Sequence, residues 1–197
     1  MKKFFSALLS FAIVLSISAP AFAADIALSP SPSSLAVNSG VVTILNDPAL
    51  IQKADATVQE AVQKESVEVL WPGLTLKNRR NIGQYYYGDD PFLADSIQGP
   101  MSTGPTLTFE TTAKAGFNGE CGVTKGMITA SFGVDFSHSE KVTRTFPFNP
   151  IPAGKWLVYR CYVNYNVYEF DVYSGSRYLG TSKYWFPVGI AVEQELV

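Results

Sequence analysis

The sequence predicts a mainly β protein, an antiparallel β-sandwich or an elongated twisted β-sheet, with one N-terminal helix. Three observations carry this. From Val67 onward, greasy and polar side chains alternate with a period of two. Gly and Pro recur between the alternating runs, as turns do between short antiparallel strands. One stretch alone, about residues 47–65, repeats its apolar residues at helical spacing.

The N-terminus comes first in chain order. Lys2 and Lys3 precede an apolar run over residues 4–17, and Ala21-Phe22-Ala23 supplies the small–x–small pattern of a cleavage site. Residues 1–23 therefore read as a signal peptide cut between Ala23 and Ala24. The apolar run is too short for a stable span, and no Cys follows the cut to carry a lipid. The expectation is a secreted or extracellular protein, with the periplasm or cell envelope as other destinations. No transmembrane segment is expected after the signal is removed.

Residues 24–66 read as a flexible segment. Its start, Ser29-Pro30-Ser31-Pro32-Ser33-Ser34, is rich in turn formers. Residues 41–45 are apolar enough to add a strand at a sheet edge. Asp47 is a good N-cap and Pro48 fits the first helical position. Ile51, Ala54, Val58, Ala61 and Val62 then share one helical face. That face is Ala-rich, so the helix should dock weakly.

Residues 67–197 form the expected β domain. Thr106 to Phe117 and Met127 to His138 alternate most clearly, and the Gly-rich residues 116–126 between them suggest a hairpin with Cys121 near its tip. Residues 141–148 read as a further strand. Leu157, Tyr159, Cys161, Val163, Tyr165 and Val167 share one face, after which Tyr168, Phe170 and Val172 shift by one. A bulge near Val167 is expected, because a one-residue slip flips every later side chain.

Composition bounds function. The chain has a formal net charge of −2, and losing Lys2 and Lys3 makes it more acidic. That argues against nucleic acid, which asks for a basic footprint. The two cysteines, Cys121 and Cys161, read as a disulfide in an exported protein. It would close a loop of about 40 residues, worth roughly 4 kcal/mol in the chain-entropy account.

Candidate chemistry is sparse. His138, the sole histidine, stands with Asp135, Ser137, Ser139 and Glu140, but no GxSxG elbow is present. Asp89, Asp90 and Asp95 supply oxygen ligands without an EF-hand pattern. Lys77-Asn78-Arg79-Arg80 is a small basic cluster that suits a phosphate or a solvated loop. Tyr85, Tyr86, Tyr87, Trp156 and Trp185 are the aromatics best placed to contact a ligand, as rings stack on sugars or sit at membrane interfaces. No catalytic residue, metal or cofactor is assigned.

Gly104-Pro105-Thr106-Leu107-Thr108, Pro152-Ala153-Gly154-Lys155, Val167-Tyr168-Glu169-Phe170-Asp171-Val172-Tyr173 and Pro187-Val188-Gly189 occur in that order. This layout resembles a group of small uncharacterised secreted proteins, mostly of Gram-positive bacteria, over about residues 99–192. The resemblance brings no established activity with it. Cys121, Cys161, Lys141 and Arg144 depart from that group's pattern.

The first functional expectation is a non-catalytic extracellular binding or interaction module, its partner a glycan, the cell envelope or another protein. The alternative is a membrane-active protein, distantly like aerolysin-type β-pore formers. A spanning strand needs about 9–11 alternating residues, and residues 128–136 nearly meet that. A small hydrolase is the third.

Overall fold

The computed structural model describes residues 40–63 and 73–197, with backbone alone for 56–63. The expected signal peptide and the expected cut between Ala23 and Ala24 lie outside the described residues. The fold is mostly β and its sheets are antiparallel.

Its spine is a long hairpin, β7 (Trp156–Ser174) and β8 (Arg177–Leu196), of 19 and 20 residues. At about 3.3 Å per residue the hairpin is roughly 60 Å long. Ser174 pairs with Arg177 across the two-residue turn Gly175-Ser176. Gly175 has φ 59°, the left-handed backbone such turns require and a Cβ resists.

Shorter strands line both edges of the spine. β2 (Leu74–Tyr86) and β3 (Leu93–Gln98) follow one another along β7. β1 (Val41–Asn46) and β5 (Gly116–Phe117) lie along β8. Residues 41–45 are thus an edge strand, with Val41, Val42 and Ile44 exposed as an edge allows. Helix α1 (Pro48–Gln63) follows directly, with the Asp47 carboxylate accepting from Ala49 N at 3.0 Å. Leu50 and Ala54 from its first turns are buried in the core.

The register of the spine shifts once in its middle. Asn164 faces Gly189 but Tyr165 faces Pro187, so Val188 is the extra residue, a bulge on β8 three residues before the expected place. Pro187 cannot donate to the ladder, which is why the ladder breaks there. The freed Val188 carbonyl accepts from Asp47 N at 2.6 Å, joining the bulge to the start of α1.

A separate two-stranded sheet, β4 (Thr106–Lys114) with β6 (Ser139–Pro147), packs on the spine. Between its strands run β5, a 3-10 turn at Glu120–Gly122 and a second helix, α2 (Lys125–Phe132). This corrects the expected pairing. Residues 127–138 do not form the partner strand of Thr106 to Phe117; Ser139–Pro147 does. Local caps explain the helix. The Thr124 side chain accepts from Met127 N, and Gly133 ends α2 with φ 70° and its N–H on the Thr129 carbonyl.

Two apolar clusters fill the interior. One lies under β4 and β6 and holds Phe109, Val142, Phe148, Leu157, Tyr159, Cys161, Ile190 and Val192. The other lies nearer the Gly175 turn, where Val123, Ile128, Phe132 and Val134 pack on Tyr168, Phe170, Val172, Tyr184, Phe186 and Val188.

The expected Cys121–Cys161 disulfide is corrected too: both cysteines are free. Cys121 Sγ lies against Gly180, which pairs with Val172. Cys161 sits further along the same strand, roughly 35 Å away at strand rise. Bridged Cα atoms stand no more than about 7 Å apart. Burial pushes the Cys161 thiol up to about 12, so it acts as a small hydrophobe.

Candidate functional site

The residues singled out in the sequence do not converge on one pocket. Tyr85 and Tyr87 are exposed at the end of β2. The Tyr86 ring lies 5.3 Å from Tyr162, and Tyr87 meets Tyr165 edge to face at 6.1 Å. Burial raises the Tyr165 hydroxyl to about 12. Trp156 is exposed at the other end of β7, roughly 30 Å from Tyr165 at strand rise. Trp185 is half-buried, and its indole fills the space a Cβ on Gly116 would take. The aromatics therefore form separate contacts and no common groove.

Asp89 lies in the turn between β2 and β3, while Asp95 is in β3 and accepts from the Tyr159 hydroxyl at 3.4 Å. Among the described residues no three His, Cys, Asp or Glu side chains gather to hold a metal.

Asp135, Ser137 and His138 do meet, in one exposed turn before β6. The Asp135 carboxylate accepts from Ser137 N at 2.7 Å, from Ser137 Oγ at 2.6 Å and from the His138 ring. Ser137 Oγ also approaches His138 Nδ1, at 3.1 Å. Serine and aspartate thus crowd the same ring nitrogen. A hydrolytic triad needs them on opposite nitrogens. The Ser137 hydroxyl and N–H, with the His138 ring, hold the Asp135 carboxyl well below the usual carboxylate range. A depressed folded value gives stability that is complete above the ordinary carboxylate pKa and lost only as pH falls through the lowered one. Acidification to about pH 5 is therefore expected to leave this turn intact, read as an unchanged Asp135 carboxyl carbon shift by NMR.

The basic cluster is split by a bulge. Asn78 takes a left-handed φ of 53°, and the pairing with β7 skips between Lys77 and Arg80. Arg80 turns outward and is neutralised by Asp171 at 3.1 Å and by Glu169. Arg79 turns inward, its guanidinium over the rings of Tyr168, Phe132 and Tyr184 at 5.0, 5.6 and 5.8 Å. Phe132 belongs to α2, so Arg79 helps seat that helix on the spine.

The segment between β4 and β6 carries the unusual chemistry. Ile128, Ala130, Phe132, Val134 and Phe136 alternate with Thr129, Ser131, Gly133, Asp135 and Ser137, a strand pattern, yet the first half is helical. The helix buries Ile128 and Phe132 one turn apart and leaves Ala130 in solvent. A local pattern that contradicts the local fold singles this segment out as a candidate functional element.

The register of β4 and β6 sets how this segment would pair if it were extended. Phe109 faces Arg144, Ala113 faces Glu140 and Lys114 faces Ser139. The same register carried forward pairs Phe117 with Phe136, Gly119 with Val134, Cys121 with Phe132 and Val123 with Ala130. It closes on Gly126-Met127, a two-residue loop with Gly first, as a type II′ turn requires. Phe117 and Phe136 already meet edge to face at 5.7 Å.

In that hairpin the face continuing Phe109, Ala113 and Val142 holds Phe117, Gly119, Cys121, Val123, Ala130, Phe132, Val134 and Phe136. The opposite face holds Gly116, Asn118, Glu120, Gly122, Thr124, Thr129, Ser131, Gly133, Asp135 and Ser137. Between Lys125 at the turn and His138 at the base, which share the first face, that face carries no polar side chain and the other carries no large apolar one. Val123, Ile128, Phe132 and Val134 are now buried against the spine, with Phe117, Cys121 and Phe136 packed beside them. Phe132 touches Phe170 and Tyr184. Phe132→Ala is expected to weaken α2 docking by about 3 kcal/mol, speeding hydrogen exchange of its amides roughly 100-fold.

No family model matches the chain, and no curated protein matches it. Among solved structures it is similar to the crystal structure titled "putative pore-forming toxin" from Bacteroides vulgatus ATCC 8482, at 10% identity and a TM-score of 0.25. The match covers 64% of this chain and 56% of that one, little more than half that protein's length. A likeness this slight transfers neither fold nor function. Among the described residues no helix is long and apolar enough to cross a membrane.

Proposed function

We propose that this protein, once exported and processed, acts on membranes by refolding residues 115–138 into a spanning β-hairpin. One observation supports the reading: a segment now packed as turn and helix can continue the β4–β6 register, and between Lys125 at the turn and His138 at the base one face of that hairpin is apolar. Its arms, residues 116–124 and 129–137, match the ~9–11 residues a tilted spanning strand needs. Lipid takes over from the spine as the cover for Phe117, Phe132, Val134 and Phe136.

A single hairpin leaves both outer edges without hydrogen-bond partners, which hydrocarbon does not tolerate. Several copies must therefore join their hairpins into a closed barrel. The test is dye-loaded liposomes mixed with the processed full chain. Release of dye, with residues 115–138 becoming protected from hydrogen exchange in the lipid-bound form, is expected. Liposomes that stay sealed at high protein concentration contradict the reading.

The second reading is the non-catalytic extracellular binding module, supported by exposed Tyr85 and Tyr87 at the end of β2. A glycan array and a cell-wall pulldown that both stay blank count against it. The membrane reading is preferred because it accounts for the buried alternating segment, which a binding module leaves unexplained.

A further inference from the structure

Resting on the hairpin reading, we infer that the barrel passes cations in preference to anions, because its water-filled lumen is lined by Glu120 and Asp135. Only the polar face of the hairpin meets the lumen, since lipid-facing and lumen-facing residues alternate. Over the two spanning arms, Glu120 and Asp135 are the only charged residues, and both lie on that face. The other lumen side chains are Asn118, Thr124, Thr129, Ser131 and Ser137, all uncharged. Lys125 sits at the turn, beyond the far end of the arms.

Above the membrane, the same face of β4 and β6 carries Glu110, Lys114 and Lys141. Glu110 and Lys141 pair at 2.8 Å, leaving Lys114 as the balance there. The narrow spanning part thus carries two negative charges per copy, repeated around the ring by every copy. Rings of carboxylates attract cations and repel anions inside a low-dielectric wall. Asp135 is already held ionised in the soluble form by Ser137 and His138. Glu120 and Asp135 are both exposed, so changing either leaves the buried core untouched, and the Asp135 change loosens only its own surface turn.

The experiment is a planar bilayer under a tenfold KCl gradient with the full processed chain. A reversal potential of the sign set by potassium, giving a K⁺-to-Cl⁻ permeability ratio several-fold above one, is expected. Glu120→Gln should bring the ratio down, and Glu120→Gln with Asp135→Asn should bring it to unity or below. Conductance with a ratio at or below one in the unaltered protein overturns the inference and leaves the hairpin standing. So does a ratio that both variants leave unmoved. Bilayers that never conduct overturn the hairpin reading itself, and the inference with it.

Discussion

Gly119→Arg is expected to abolish dye release while leaving the soluble protein folded. Gly119 is exposed, at the start of the 3-10 turn with φ −86°, a conformation any residue adopts. A Cβ there would meet only ordinary contacts, at 3.7 Å or more. The change should therefore shift soluble stability by no more than about 0.5 kcal/mol. In the hairpin, Gly119 pairs with Val134 near mid-membrane and points at lipid. An arginine there costs ~2–4 kcal/mol per copy, and every copy in the barrel carries it. Glu120→Arg is the partner experiment. Glu120 is exposed, adjacent and at the same depth, but on the lumen face. It should still release dye, with selectivity moved toward anions. Melting temperatures of both variants check that folding is unaltered. If both release dye equally, or neither does, the faces are misassigned.

Gly180→Cys is expected to lock the protein in its soluble form when oxidised and to free it when reduced. A Cβ at position 180 would stand 2.9 Å from Cys121 Sγ, within reach of an S–S bond of about 2.05 Å. Position 180 is on β8, which keeps its pairing with β7 in either state. Cys121 is in the first arm of the hairpin, so the bridge holds that arm against the spine. Gly180 has φ 147°, and a side chain there carries a strain of about 1–3 kcal/mol. The reduced variant is therefore the proper control. Dye release should fall to background on oxidation and return with reductant. Release that ignores the redox state, with the bridge verified by mass, would mean that this arm does not move.

The sequence made the strands legible because burial on one face imposes alternation. It does so for β7, where Leu157, Tyr159 and Cys161 all turn into the same cluster. Asp47 and Pro48 likewise marked the start of α1 through groups local to the chain. Other features were hidden, each for a physical reason. Residues 127–138 alternate as a strand does, and what makes half of them helical is a pair of caps, Thr124 and Gly133, plus a docking surface on β7 and β8. The disulfide expectation followed from compartment and number, neither of which carries distance. The aromatics Tyr85, Tyr86, Tyr87, Trp156 and Trp185 looked like one set because composition has no geometry. The inward turn of Arg79 depended on the bulge at Asn78, a left-handed position that asparagine tolerates but does not announce. The hairpin itself needed the register of β4 with β6. The sequence singled out residues 128–136 as a candidate spanning strand and paired them with Thr106 to Phe117, whereas Thr106–Lys114 pairs with Ser139–Pro147.

Single cysteines at each position from 128 to 137, on a Cys121→Ser, Cys161→Ala background and carrying a polarity-sensitive fluorophore, address the claim most directly. In protein bound to liposomes, labels at 128, 130, 132, 134 and 136 should report hydrocarbon and those between them water. A pattern repeating every three to four residues, as α2 presents in solution, would contradict the account, as would labels that never leave water.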